Sequence, residues 1–282
     1  AFHGAYHGDT LGAMSVSDLE TGVHASLADV LPAHHIVDLP EGRSTVATLE
    51  NFLKGRSDTI AAIIVEPLVQ GAGGMKFHDA GVLRHLRALA DAYDALLIFD
   101  EVFTGFGRTG TMFASEQAQT APDIIALSKA LTGGTLPLAA TVATAKIFDA
   151  FWSDDPEKAL MHGPTYMANA LGCAAANASL DLFEREPRLQ QVADIAVLLA
   201  RGLEPCRGLK AVKDVRVMGG IGVVELNQIG NLDAIRNRFI ELGVFVRPIG
   251  NVIYLTPAFT ISTDELETLV SAVVKVVQEQ KH

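Results

Sequence analysis

Two uninterrupted apolar runs constrain this chain more than any other feature. Ala95-Leu96-Leu97-Ile98-Phe99 stops at Asp100, and Ile124-Ile125-Ala126-Leu127-Ser128 stops at Lys129, which is followed shortly by Gly133-Gly134. A strand with one wet face alternates apolar and polar residues. A continuous run of this length asks for cover on both faces, as in a mostly parallel sheet flanked by helices. Ile60–Val65, ended by Glu66-Pro67, and Leu138–Thr144 have the same character, so each is expected as a further buried strand. The fold class expected is therefore α/β. In open sheets of this class ligands sit at the carboxyl ends of the strands. Asp100 and Lys129 would then share one sheet edge.

An acid and an amine on one edge suit a cofactor with a basic ring nitrogen and an aldehyde, and pyridoxal phosphate has both. Two other readings compete for the same stretch. Leu96-Leu97-Ile98-Phe99-Asp100-Glu101 resembles a Walker B strand, but no G-x-x-x-x-G-K-[ST] cradle occurs in the sequence. Gly105-Phe106-Gly107-Arg108-Thr109-Gly110 is a literal G-x-G-x-x-G, yet Asp100–Thr104 separate it from the strand, and Asp123 precedes the next strand instead of ending it. Both readings therefore lack a necessary part.

Composition excludes other classes. Hydrophobic residues make up 49% of the 282 and charged ones 20%, enough for a large domain and a smaller one. Lys plus Arg number 22 against 33 Asp plus Glu, a net charge of −11, which argues against a nucleic-acid or anionic-membrane partner. Cys173 and Cys206 have no metal-type spacing and form no disulfide framework, so a cytoplasmic location is expected. No apolar stretch is long enough to span a bilayer and no secretory signal is visible. The sequence opens Ala1-Phe2-His3 without Met and runs directly into what reads as a strand end, so it is expected to begin inside a domain.

The remaining segments sort into local signals. His3, His7 and Asp9 are spaced loosely for a metal site and have no matching cluster elsewhere. Tyr6 sits on a glycine-punctuated turn, where its ring either stacks on a flat cofactor or packs in the ordinary way. Ser44 is the expected N-cap of a helix over 44–54. Glu66-Pro67 is either a site residue at a strand end or a solvated turn. The loop Leu68–His78 carries Gly71, Gly73 and Gly74, which permit close backbone approach. Asp79 is the expected cap of a helix bearing Leu83, Leu86 and Leu89. Met161-His162-Gly163-Pro164-Thr165 reads as a turn opening an Ala-rich helix through Leu182, its free N–H groups serving an anion or simply capping the helix. From about Glu184 a charged linker, Glu184–Arg188, leads into an α+β unit. It has strand-like runs at Val215–Val217, Ile221–Leu226, Val244–Val246 and Val252–Leu255, and a last helix opened by the box Ser262-x-x-Glu265. The expected division is a large domain over 1–183 and a small C-terminal domain over 184–282.

Taken together, Glu66-Pro67 with Gln70–Met75, Asp100-Glu101-Val102 with Gly105–Gly110, and Ser128–Gly134 resemble the class III (fold type I) aminotransferases. Finer marks are Tyr6-His7-Gly8-Asp9-Thr10, Met161–Met167 and Val246–Asn251. They are similar to the branch that passes an amino group from S-adenosylmethionine to 8-amino-7-oxononanoate in biotin synthesis. The resemblance runs from residue 1 to near the C-terminus.

It implies a homodimeric pyridoxal phosphate enzyme and a role for each matching residue. Lys129 would hold the cofactor through its amine and shuttle the proton at the reacting carbon. Asp100 would pair with the ring nitrogen. Tyr6 and Val102 would cover the two ring faces. Thr165, with the backbone beside Gly163, would reach the cofactor phosphate of the other subunit. Arg247 would hold the acceptor's carboxylate, Tyr254 would line that pocket, and Asp9 would favour the cationic donor. Phe103 departs from the Gln that many members carry there. The family also has a portion ahead of the Tyr6 motif that supplies a phosphate-binding turn, and no such portion stands ahead of Tyr6 here. The competing expectations are a class III aminotransferase using an ω-amino acid or lysine as donor, and a remnant that does not hold cofactor.

Overall fold

The computed structural model describes residues 1–20 and 22–280. Four strands form the main sheet: β1 (Ala62–Val65), β4 (Leu96–Asp100), β5 (Ile124–Leu127) and β6 (Ala140–Ala143), in the order β1-β4-β5-β6. Between β1 and β4 lie the short hairpin β2 (Val69–Gln70) and β3 (Lys76–Phe77) and the helix α3 (Ala80–Ala92). β1, β4 and β5 are parallel, with Val65 beside Phe99 and Asp100 beside Ala126. These pairings carry Glu66, Asp100 and Lys129 to one end of three adjacent strands. The mostly parallel α/β architecture expected from the apolar runs is present.

One face of this sheet is closed. Leu97 and Phe99 are fully buried against Val82, Leu83 and Leu86 of α3, and Leu49 and Leu53 of α2 (Arg43–Lys54) complete the layer. α3 starts where expected, because Asp79 accepts the Gly81 N–H at 2.6 Å. α2 starts one residue early: Gly42 is its N-cap, and Thr45 rather than Ser44 makes the capping bond, accepting the Gly42 N–H at 2.9 Å. The other face is less covered than continuous apolar runs imply, with Leu96, Ile98 and Ile124 only half-buried.

β6 departs further from expectation. It runs antiparallel to β5, pairing Val142 with Ile125, and Val142 is 52% exposed. Apolar character announced a strand, but no described element covers it. The segment from α5 (Ala145–Phe151) to residue 170 is exposed almost throughout. The turn at 161–165 does not open the Ala-rich helix. That helix, α6 (Ala170–Arg185), is capped instead by Asn169, whose Oδ1 accepts the Leu171 and Gly172 N–H groups.

Only Glu186 and Pro187 separate α6 from α7 (Arg188–Leu203), so the charged stretch at 184–188 is a helix–helix joint rather than a linker. Then come β7 (Val212–Met218), β8 (Ile221–Leu226), α8 (Leu232–Glu241), β9 (Val252–Leu255) and α9 (Thr263–Gln278). The three strands make an antiparallel sheet in the order β7-β8-β9. Val244–Val246 is not a strand; it leaves α8 as loop. β8 explains how this sheet is seated. Ile221 and Val223 join the core of the main sheet, while Val224 and Leu226 join a second core with α7, α8 and α9. Period-two alternation thus makes one strand serve two cores.

Arginines tie the two sheets together. Arg216 on β7 donates to the Gly74 and Met75 carbonyls and to Glu225 at 2.7 to 2.9 Å. Arg108, from the Gly105–Gly110 turn, donates to the Gly220 and Pro257 carbonyls at 2.9 and 3.0 Å and stacks over Phe259. The G-x-G-x-x-G resemblance to a nucleotide turn therefore belongs to a domain clamp.

Candidate active site

Asp100 closes β4 and turns a buried carboxylate to its neighbours. Its Oδ1 accepts the Val102 N–H at 3.1 Å, and its Oδ2 accepts His7 Nδ1–H at 2.7 Å. A carboxylate accepts only, so this bond fixes the proton on Nδ1. His7 Nε2 is buried with no partner among the described residues.

Lys129 follows β5 and opens a short 3-10 turn with φ of +47°. A left-handed lysine is strained, and such strain concentrates at functional sites. Gly133 and Gly134, at φ of +60° and +78°, end the turn without that penalty. The residue keeps an exposed flank, but its amine lies 5.2 Å from the Phe103 ring centroid. Partial burial lowers the amine's pKa, against the opposing pull of Asp100 and Glu66.

Glu66 is not a solvated turn. It is 5% exposed; Oε1 accepts the Tyr6 N–H at 3.0 Å and Oε2 the Gly71 N–H at 2.9 Å. Burial pushes this carboxyl up to about 7, against those two hydrogen bonds. It joins the Tyr6 turn to the glycine loop. The loop's own close approach needs glycine, since a Cβ at Gly73 would collide with the Gly4 carbonyl.

Tyr6 sits beside this cluster. Its hydroxyl donates to Asp9 Oδ1 at 2.9 Å, and its ring stacks on His24 with centroids 5.5 Å apart and planes 21° apart. A cavity of about 390 Å³ lies between Tyr6 and His24 on one side and Ile249, Gly250 and Asn251 of the small sheet's turn on the other.

The structure therefore brings Tyr6, Asp9, Asp100, Val102 and Lys129 to one region. Tyr254 is half-buried and packs against the main core. Arg247 is exposed, with no hydrogen bond or ion pair among the described residues. Gly163 and Thr165 lie in the exposed segment, and neither hydrogen-bonds to any described residue. Glu66 stood open between a site residue and a solvated turn, His7 was weighed only as a metal ligand, and His24 had no expected role. Glu66 and His7 stood within recognised motifs, whereas His24 carries no sequence signal.

The donor set fits pyridoxal phosphate at its ring and carbonyl ends: a buried carboxylate for a protonated pyridine nitrogen, an amine of lowered pKa, and an aromatic ring beside them. The chain belongs to the class-III aminotransferase family, whose model matches residues 1–277. It is 40% identical over 272 residues to the adenosylmethionine-8-amino-7-oxononanoate aminotransferase of Corynebacterium glutamicum, covering 95% of this chain and 64% of that protein. The crystal structure of the Methanocaldococcus jannaschii protein of the same name superposes on the whole chain with a TM-score of 0.90, at 32% identity and 68% of its length. An amine transaminase from an uncultivated Pseudomonas species, in its PLP-bound form, superposes on 98% of the chain with a TM-score of 0.89, at 33% identity and 68% of its length. The fold is that of the type I transaminases. The chain spans just under two thirds of the length of the curated relatives it matches.

Proposed function

We propose that this chain carries the catalytic half-site of a pyridoxal phosphate enzyme that moves an amino group from S-adenosylmethionine to 8-amino-7-oxononanoate, giving 7,8-diaminononanoate for biotin synthesis. The observation that carries the reading is Asp100 and Lys129 at the same end of paired parallel strands, with His7 locked onto Asp100. The similarity to a protein of that name supports the choice of substrates.

When bound, pyridoxal phosphate supplies the carbonyl that takes the amino group and a ring that spreads the electron pair left at the donor's Cα. The chain's residues do the rest. Asp100 keeps a proton on the ring nitrogen, and the His7 bond holds that carboxylate in one orientation. Lys129 Nζ, with its lowered pKa, takes the proton from the donor's Cα and returns it on the other side of the transfer. Tyr6 and Val102 flank the ring. Arg247, without a hydrogen-bond or ion-pair partner among the described residues, receives the acceptor's carboxylate, and Tyr254 lines its path. Asp9 faces the positive charge of the donor. Gly163 and Thr165 serve the phosphate of a second subunit. The exposed Phe148, Trp152, Met161, Tyr166 and Leu171 support a homodimer that covers this segment. The free thiols Cys173 and Cys206 accord with work in the cytoplasm.

The test uses the full-length protein and its Lys129→Ala variant. The variant is expected to lose the visible absorbance of lysine-bound cofactor and at least ~10³-fold in turnover. Retention of both would sink the reading. Consumption of lysine or an ω-amino acid, with S-adenosylmethionine untouched, would move the enzyme to another branch of the family.

A further inference from the structure

His24 is buried, and nothing in the reaction as proposed uses it. Its side chain is 9% exposed, while that of its partner Asp9 is 78% exposed. Its Nε2 lies 2.8 Å from Asp9 Oδ1, the same oxygen that takes the Tyr6 hydroxyl. Because a carboxylate only accepts, Nε2 carries the proton and donates it. The His24 ring also backs the Tyr6 ring in a near-parallel stack. Nδ1 is buried without a partner among the described residues. A buried polar atom left unpaired is costly, so the ring is retained for its other contacts.

We propose that His24 is the positioning residue of the amino-donor subsite, holding the Asp9 carboxylate and the Tyr6 ring in fixed register for a cationic donor. This rests on the donor assignment given above. Both bonds converge on Oδ1, leaving Oδ2 with no protein partner among the described residues. An exposed carboxylate on a flexible side chain would sample several rotamers and lose that freedom on binding a cation. Two donors on one oxygen remove the freedom in advance, and a preorganised partner binds more tightly. The His24 and then the Tyr6 hydrogen bonds also hold the Asp9 carboxyl below the usual carboxylate range, so it is charged whenever the donor arrives.

Three variants of the full-length holoenzyme separate the contacts. His24→Phe keeps a ring under Tyr6 and removes the donor; His24→Gln restores an N–H; His24→Ala removes both. The expected result is a rise of roughly tenfold in the donor's KM for His24→Phe, as for losing one charge-assisted hydrogen bond. The effect should fall on the donor and spare kcat and the acceptor's KM. His24→Gln should recover most of the loss. Calorimetric binding of a sulfonium analogue that lacks the transferable amino group should weaken in parallel, which reads the subsite without turnover. In His24→Ala, affinity for pyridoxal phosphate, followed by visible absorbance, should fall as well, because Tyr6 loses its backing. The proposal is overturned if His24→Phe leaves donor KM and analogue binding unchanged, or if His24→Gln fails to improve on His24→Phe. It is equally overturned if donor and acceptor KM rise together, since that marks a general structural role. If the unaltered enzyme neither consumes S-adenosylmethionine nor binds the analogue, it is the donor assignment that fails.

Discussion

The end of the main sheet and the turn around Arg247 are two halves of one proposed site, yet they are built in opposite ways. At the sheet end Glu66, Asp100 and His7 are held by hydrogen bonds that span 2 to 93 residues of sequence. Arg247, and Thr165 in the exposed segment, have exposed side chains with no hydrogen-bond partner among the described residues. Chemistry at a reacting carbon needs groups fixed before substrate arrives, whereas a substrate carboxylate can itself order a waiting guanidinium. The comparison implies that substitutions at the sheet end cost rate and stability, and that substitutions on the open side cost affinity for one substrate.

Four measurements test that difference. Asp100→Asn should have the largest effect, lowering kcat by about 10³-fold with donor and acceptor alike, since it strips the ring nitrogen of its counter-charge. If only one substrate suffered, the sheet end would not be the shared chemical centre.

Next is Glu66. Its carboxyl moves from the ordinary 4.5 to about 7 on folding, so between those values the folded chain holds a proton that the unfolded chain has released. Stability contributed at low pH is lost as pH rises through that window. Glu66→Gln cannot ionise and loses one of the two acceptors for the Tyr6 and Gly71 N–H groups, so it should be the less stable at pH 4.5, and in urea unfolding its difference from the parent should shift in its favour by roughly 2–3 kcal/mol from pH 4.5 to 7. A pH-independent difference would mean that Glu66 stays ionised.

Arg247→Ala should raise the acceptor's KM by about 30-fold, leave the donor half-reaction near its starting rate, and change stability by less than about 0.5 kcal/mol. A large loss of stability would show that the open side is not bare. Ser262→Ala is the smallest. Ser262 Oγ accepts the Glu265 N–H and Glu265 accepts the Ser262 N–H at the start of α9, and neither residue belongs to the proposed site. Its loss should cost about 1 kcal/mol in unfolding free energy and leave kinetics alone.

How far the sequence could be read follows the reach of each interaction. The Asp79 and Ser262 caps were legible because their partners lie two and three residues away. β4 and β5 were legible because apolar runs are local, and their polar ends placed Asp100 and Lys129. Leu138–Thr144 was legible as a strand but not in its direction or exposure, since pairing direction and cover depend on other segments. Ser44 failed as a cap because Thr45, at the N3 position, already satisfies the Gly42 N–H.

By itself, then, the sequence determined the parallel strands, the acid and amine at their ends, the last helix and the family. Tertiary structure alone decided that Glu66 is buried between Tyr6 and Gly71, that His7 grips Asp100, that Arg216 reaches the glycine loop across 141 residues, and that His24 holds Asp9 and Tyr6. The reason is physical. Propensity and periodicity act over one turn or a few strand residues, whereas burial and long-range hydrogen bonds exist only once distant segments have packed.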